Sequence, residues 1–333
     1  MREEIRECAE KAIAKKVFPG CVVGIIRANG SREVWPFGNL TYDTGAPLVR
    51  EDTIYDLASI TKSIPTASIA LLLIAEGKLR LTDKLIEHIP EFKSRWREEV
   101  TIEHLLRYAI HGLQLSTLKD KTPDEILASA YSHELADTPG TQFLYTNLPA
   151  LLLGIVVERV CGSTLDRCAQ EYFFDPLHMS STTFFPNVRV RNSNIAPTEI
   201  DGGGEVCGIV HDECARVFAR ARKAVGHAGL FSTAPDILNF LESLLRGNEG
   251  FTKSIITGAE KGLGWQVNQP WFMGAKCGPR TFGKTGFTGT SVVCDVERGT
   301  AFVILSNRTY PKRPADGKEI DAFRRNIADV VLK

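Results

Sequence analysis

Asp56-Leu57-Ala58-Ser59-Ile60-Thr61-Lys62-Ser63-Ile64 places a hydroxyl and an amine three residues apart, just before the apolar run Ile69-Ala70-Leu71-Leu72-Leu73-Ile74-Ala75. If the segment is helical, Ser59 lies in the first turn and Lys62 on the same face one turn later. A helix N-terminus adds partial positive charge and unpaired backbone N–H groups. A serine so placed has what acyl transfer requires: a base within reach and donors for a developing oxyanion. Ser-x-x-Lys alone is most often an ordinary surface or capping pair. Its weight depends on what surrounds it.

Upstream, Glu3 to Lys15 has the spacing of an amphipathic helix, Cys21 to Ile26 reads as a buried strand, and Asn29-Gly30 as the turn into a partner strand over Glu33 to Phe37. Downstream, from Lys78 to about Gly226, the pattern is mainly helical. Thr101 and Thr122-Pro123 are cap signals, and an apolar helix spans Leu148 to Val160, stopped by Gly162. Pro186 to Glu205 is polar and irregular. The last third returns to strands, over Gly264 to Val267, Ser291 to Val296 and Ala301 to Asn307, and closes with an amphipathic helix over Glu319 to Leu332. This order predicts an α/β (α+β) fold. A sheet flanked by helices is built from both ends of the chain (1–65 and 226–333), with a mainly helical domain inserted (66–225).

Composition excludes several functions. The 333 residues carry 40 Lys+Arg and 40 Asp+Glu, so no basic excess points to nucleic acid and no polybasic segment to a membrane surface. The apolar runs are shorter than a membrane span of about 18–20 residues. Met1 to Glu7 is charged, without the apolar region of a signal peptide, so a cytoplasmic location is expected unless a leader has been removed. The eight cysteines form no Cys-x-x-Cys pair. One cluster, Cys207-x-x-x-His211-x-x-Cys214 with His227 beyond it, offers soft ligands, but its spacing matches no common zinc module. No cofactor is expected.

Two further stretches give the first one its meaning. Tyr145-Thr146-Asn147 precedes the apolar helix, so Tyr145 is a candidate proton carrier if nearby cations lower its pKa. Asn147 is either a helix cap or a substrate-amide contact. Lys284-Thr285-Gly286 lies in a glycine-bearing strand that lets a ligand approach closely. Lys284 could keep Lys62 neutral, lower Tyr145 and bind a carboxylate.

With these three motifs in this order, the chain resembles the serine β-lactamase and penicillin-binding protein superfamily, for which Ser-x-x-Lys and Lys-Thr-Gly are known signatures. Tyr145-x-Asn147 is similar to the class C β-lactamase, D-alanyl carboxypeptidase and esterase branch. Pro139-Gly140-Thr141 and Gly226-His227-Ala228-Gly229-Leu230-Phe231-Ser232 extend the likeness along nearly the whole chain. The resemblance implies an antiparallel sheet with the site in the cleft between it and the inserted helices, and Ser59 as nucleophile, Lys62 as base and Tyr145 as proton shuttle. It gives substrate contacts to Asn147, Lys284, Thr285 and Gly286, and an oxyanion hole to the N–H groups of Ser59 and Phe287. The expected activity is hydrolysis through an acyl-enzyme, first of a β-lactam in the class C manner. The alternatives are a D-alanyl carboxypeptidase or muropeptide amidase, a carboxylesterase, or a penicillin-binding sensor that does not turn over. Lys284 leans toward a small-molecule or peptide substrate bearing a carboxylate.

Overall fold

The computed structural model describes residues 1–186, 194–247 and 251–333, so part of the Pro186 to Glu205 stretch lies outside the described residues. Six strands form an antiparallel sheet: β1 (Gly20–Arg27), β2 (Arg32–Gly38), β3 (Gln266–Val267), β4 (Thr281–Thr285), β5 (Ser291–Asp295) and β6 (Thr300–Ser306), in the spatial order β2-β1-β6-β5-β4-β3. The strand nearest the N-terminus therefore pairs with the last strand of the chain, Cys21 opposite Ser306 and Arg27 opposite Thr300. β1 is buried along nearly its whole length because helices cover both of its faces.

On one face lie α1 (Arg2–Ala14) and the C-terminal helix Lys318–Val331, which share a small core with Phe18, Phe302 and Ile304. On the other, Ala234–Arg246 packs through Leu238 and Leu241 into a larger core that continues through the helical insertion. The architecture anticipated from the sequence, a sheet drawn from both termini with helices inserted, is thus present. The reading falls short in detail. Gly264 to Val267 yields only a two-residue strand, and the end of the stretch read as irregular forms a small hairpin that pairs Ile200–Asp201 with Gly204–Glu205 around Gly202 and Gly203.

The Ser59 segment is not a uniform α-helix. A 3₁₀ turn (Ala58–Lys62) runs into a wider π turn (Ser63–Ala67) and only then into an α-helix (Ser68–Ala75). Ala58 to Ala75 is 18 residues long and apolar, and 83% of it is buried inside the fold, as befits a core element. The apolar helix Leu148–Cys161 crosses close to it and ends with Gly162 in the left-handed conformation. A glycine makes the approach possible. A Cβ on Gly226 would sit 2.1 Å from the Ala150 carbonyl oxygen and 3.0 Å from the Gly154 Cα. Gly226→Ala should therefore destabilise the protein by about 3 kcal/mol, read as an earlier denaturant midpoint, because the backbone of the Leu148–Cys161 helix cannot yield.

Candidate active site

The turn that presents Ser59 is strained and braced. Ala58 has φ 47°, a left-handed conformation that costs an L-residue roughly 1–2 kcal/mol. The buried Asp56 holds it there: Oδ1 accepts from Ala58 N (2.8 Å) and Oδ2 from His211 N (2.8 Å). Burial pushes the Asp56 carboxyl up to about 6, with the two backbone donors pulling the other way. One carboxylate thus ties the Ser59 turn to the segment that carries Asp212.

Lys62 Nζ donates to Ser59 Oγ at 2.8 Å and to the His227 carbonyl at 2.7 Å. Burial pulls Lys62 down to about 7, and the Asp212 charge opposes this. An amine in that range is a free base in a large part of the molecules at neutral pH, as proton abstraction from serine requires. The expectation that a second ammonium keeps Lys62 neutral needs correcting, because desolvation does it. The influence runs the other way: Lys284, 1% exposed, is pushed far down by its own burial and then by the charge of Lys62. Its Nζ lies 4.3 Å from the Tyr145 ring centroid and 4.8 Å from that of Tyr108.

Tyr145 also departs from expectation. The residue is 43% exposed, and its phenol lies beside Ser59 in the lining of the cleft. Burial raises its pKa well above the ordinary phenol range, and Asp212 adds to the rise. Cations nearby do not lower it. At neutral pH it is a phenol that donates, not a phenolate that accepts.

Asn147 begins its helix without capping it; its amide donates to Asp212 Oδ2 at 3.2 Å. Asp212, which the sequence reading passed over, is the hub here. Its Oδ1 meets His227 Nε2 at 3.2 Å and accepts from Ala215 N at 2.9 Å, capping the helix Glu213–Arg220. Burial alone would raise its pKa. The His227 charge and hydrogen bond, with Lys62, outweigh that and hold it well below the usual carboxylate range. An Asp at a helix N-cap was the available signal, and caps are too common to stand out. The soft-ligand cluster does not converge: Cys207 Sγ contacts the Ile195 carbonyl, His211 Nε2 meets Glu199 at 3.2 Å, and His227 faces Asp212.

Gly286 and Phe287 complete the ring. Gly286 N donates to the Thr290 carbonyl (2.8 Å), closing a tight loop at the end of β4. Thr288 and Thr290 hydroxyls donate to the carbonyls of Asp56 (2.7 Å) and Leu57 (3.1 Å), stitching this loop to the turn before Ser59. A Cβ on Gly286 would lie 2.4 Å from the Leu57 oxygen, so only glycine allows that closeness. Among the described residues, neither Ser59 N–H nor Phe287 N–H has an acceptor. Phe287 itself is 49% exposed and stacks on His211, centroids 5.7 Å apart. Ser59, Tyr145, Asn147, Asp212, Thr285, Gly286 and Phe287 line one cleft of 420 Å³.

A serine joined to a buried, depressed lysine, with free backbone donors beside it and a phenol above, defines a serine hydrolase. The sequence profile of the beta-lactamase family matches residues 5–324, and the chain belongs to that family. It is 32% identical to a candidate D-alanyl-D-alanine carboxypeptidase of Escherichia coli O157:H7, over 88% of this chain and 79% of the relative. The fold is shared with a solved beta-lactamase/D-alanine carboxypeptidase of Pseudomonas syringae (TM-score 0.78, 19% identity, 98% of both chains). It is shared also with EstCE1, a hydrolase with promiscuous acyltransferase activity (TM-score 0.76, 19% identity, 100% of this chain and 98% of that one).

Proposed function

We propose that the protein is a carboxypeptidase-type serine hydrolase that removes a carboxylate-bearing residue, such as a terminal D-alanine, through an acyl-enzyme on Ser59. The observation that carries this is the Lys62 Nζ to Ser59 Oγ contact of 2.8 Å, made by a lysine drawn down to about 7. Neutral Lys62 takes the Ser59 proton as Oγ bonds the substrate carbonyl carbon. The oxyanion forms toward the N–H groups of Ser59 and Phe287. The C–N bond then breaks as Tyr145 passes its proton to the leaving amine and regains one from the Lys62 ammonium. A water molecule next attacks the ester, yielding the acid and restoring Ser59. Asn147 takes the substrate amide, held in place by Asp212.

The named relative favours the peptide substrate over the β-lactam that the motifs suggested first. Lys284 supports a carboxylate in either case. Lys284 has no hydrogen bond or ion pair among the described residues, and a carboxylate beside it would supply the opposite charge that its buried setting lacks. Lys284→Gln should raise KM about 10- to 100-fold for carboxylate-bearing substrates, the worth of a charged hydrogen bond, and leave short neutral esters nearly unchanged. Equal losses on both would remove Lys284 from carboxylate binding. The reading as a whole is tested by intact-protein mass spectrometry after exposure to a D-alanyl peptide thioester and a penicillin. An adduct on Ser59, absent from Ser59→Ala, is the expected result. No adduct from either reagent would refute it. A stable penicillin adduct without peptide turnover would replace the hydrolase by a sensor.

A further inference from the structure

Arg324 belongs to the C-terminal helix, far from the three motifs in sequence, yet it lines the same cleft and is 4% exposed. Its Nη2 donates to the carbonyls of Gly286 and Thr290, both at 2.8 Å, and its Nη1 to Asp321 Oδ1 at 2.9 Å. Among the described residues, Nε has no partner. The two carbonyls that accept are the ends of the loop that carries Phe287.

A trans peptide is planar, and its C=O and the following N–H point in opposite directions. Whatever fixes the Gly286 oxygen therefore fixes the Phe287 N–H. We propose that Arg324 is a positioning residue for the oxyanion hole: by gripping the Gly286 carbonyl from the helix side, it aims the Phe287 N–H at the carbonyl attacked by Ser59. This inference rests on the serine-hydrolase reading above. Two physical effects act together. The guanidinium presents two donors in one plane, so the loop's ends are held at a fixed separation, which a lysine cannot do. A cationic donor on the C=O also polarises the amide and makes its N–H a stronger donor on the far side. Burial lowers Arg324 to about 10, which leaves it charged at neutral pH.

The test compares matched oxo and thiono esters, which differ only in C=O against C=S. Sulfur is a weak acceptor, so an intact oxyanion hole favours the oxo ester, and a loosened one loses that preference. Arg324→Met should lower kcat for the oxo ester about 10- to 100-fold, less than outright loss of an oxyanion donor, with little change in KM. The oxo/thiono ratio should fall with it, and Arg324→Lys should recover part of both. Equal losses on the two esters, or an unmoved kcat, would overturn the proposal, since a merely structural arginine has no reason to read the carbonyl atom. If Arg324→Met does not fold, Asp321→Asn loosens the same arginine from its ion pair. It should move the ratio a few-fold in the same direction, and an unmoved ratio overturns the proposal equally. Wild-type protein that is acylated by neither ester removes the hydrolase reading and this inference with it. Wild-type activity with an unchanged ratio in the variants removes this inference alone.

Discussion

Ser59→Ala and Lys62→Ala should each reduce kcat about 10⁴- to 10⁶-fold, and the double variant should be hardly worse than either single one. The reason is geometric. At 2.8 Å the amine and the hydroxyl act as one unit, and neither performs a step without the other. Product release measured under saturating substrate checks the claim. A double variant much worse than the singles would mean that the two act separately. The pH profile adds a sign. With Lys62 at about 7, kcat/KM should rise tenfold per pH unit below that value and level off above it, because the ammonium form has no lone pair for the Ser59 proton. Lys62→Arg should not restore activity at any accessible pH, since a guanidinium stays charged. A flat profile between pH 5 and 8 would sink the assignment of Lys62 as base.

Asp212→Asn should have the next largest effect, about 10²-fold in kcat/KM on a peptide substrate. The substitution keeps the shape but exchanges an acceptor-only carboxylate for an amide, which cannot face both the Asn147 amide and the His227 ring as acceptors. Asn147 then loses the orientation it needs to meet the substrate. A second consequence separates this from simple damage. The Asp212 charge holds the Lys62 pKa up, so neutralising it should move the acidic limb of the rate profile below pH 7. Lower activity with the limb shifted toward acid is the expected result. A limb that stays put would show that Asp212 does not reach Lys62 electrostatically.

What was legible in the sequence follows from distance along the chain. Ser59 and Lys62 are three residues apart, and any helical turn brings them together. The sheet could be read because strand-like ends flank a helical middle. The distortion of the Ser59 segment could not, because an apolar run looks the same wound as 3₁₀, π or α. Asp212 meets Asn147 across 65 residues and the His227 carbonyl meets Lys62 across 165, and nothing local announces either contact. Arg324 is harder still, since on its amphipathic helix it looks like one more solvated cation. The direction of the Tyr145 shift and the cause of the Lys62 shift were misjudged for a related reason. Neighbouring charge can be guessed from motifs, whereas desolvation depends on how completely the rest of the chain closes over a group.

The pairing of β1 with β6 bears on how the protein is made. During synthesis, the strand beginning at Gly20 leaves the ribosome early and has nothing to pair with across its inner edge until residues 300–306 follow. The helical insertion can gather its own contacts meanwhile, but β4, which carries Lys284, cannot be seated beside Ser59 before residues 300–306 have emerged. A nascent chain stalled before Thr300 should therefore be protease-sensitive over residues 20–38 and carry no reactive serine, so Ser59 is armed only once β6 has been made.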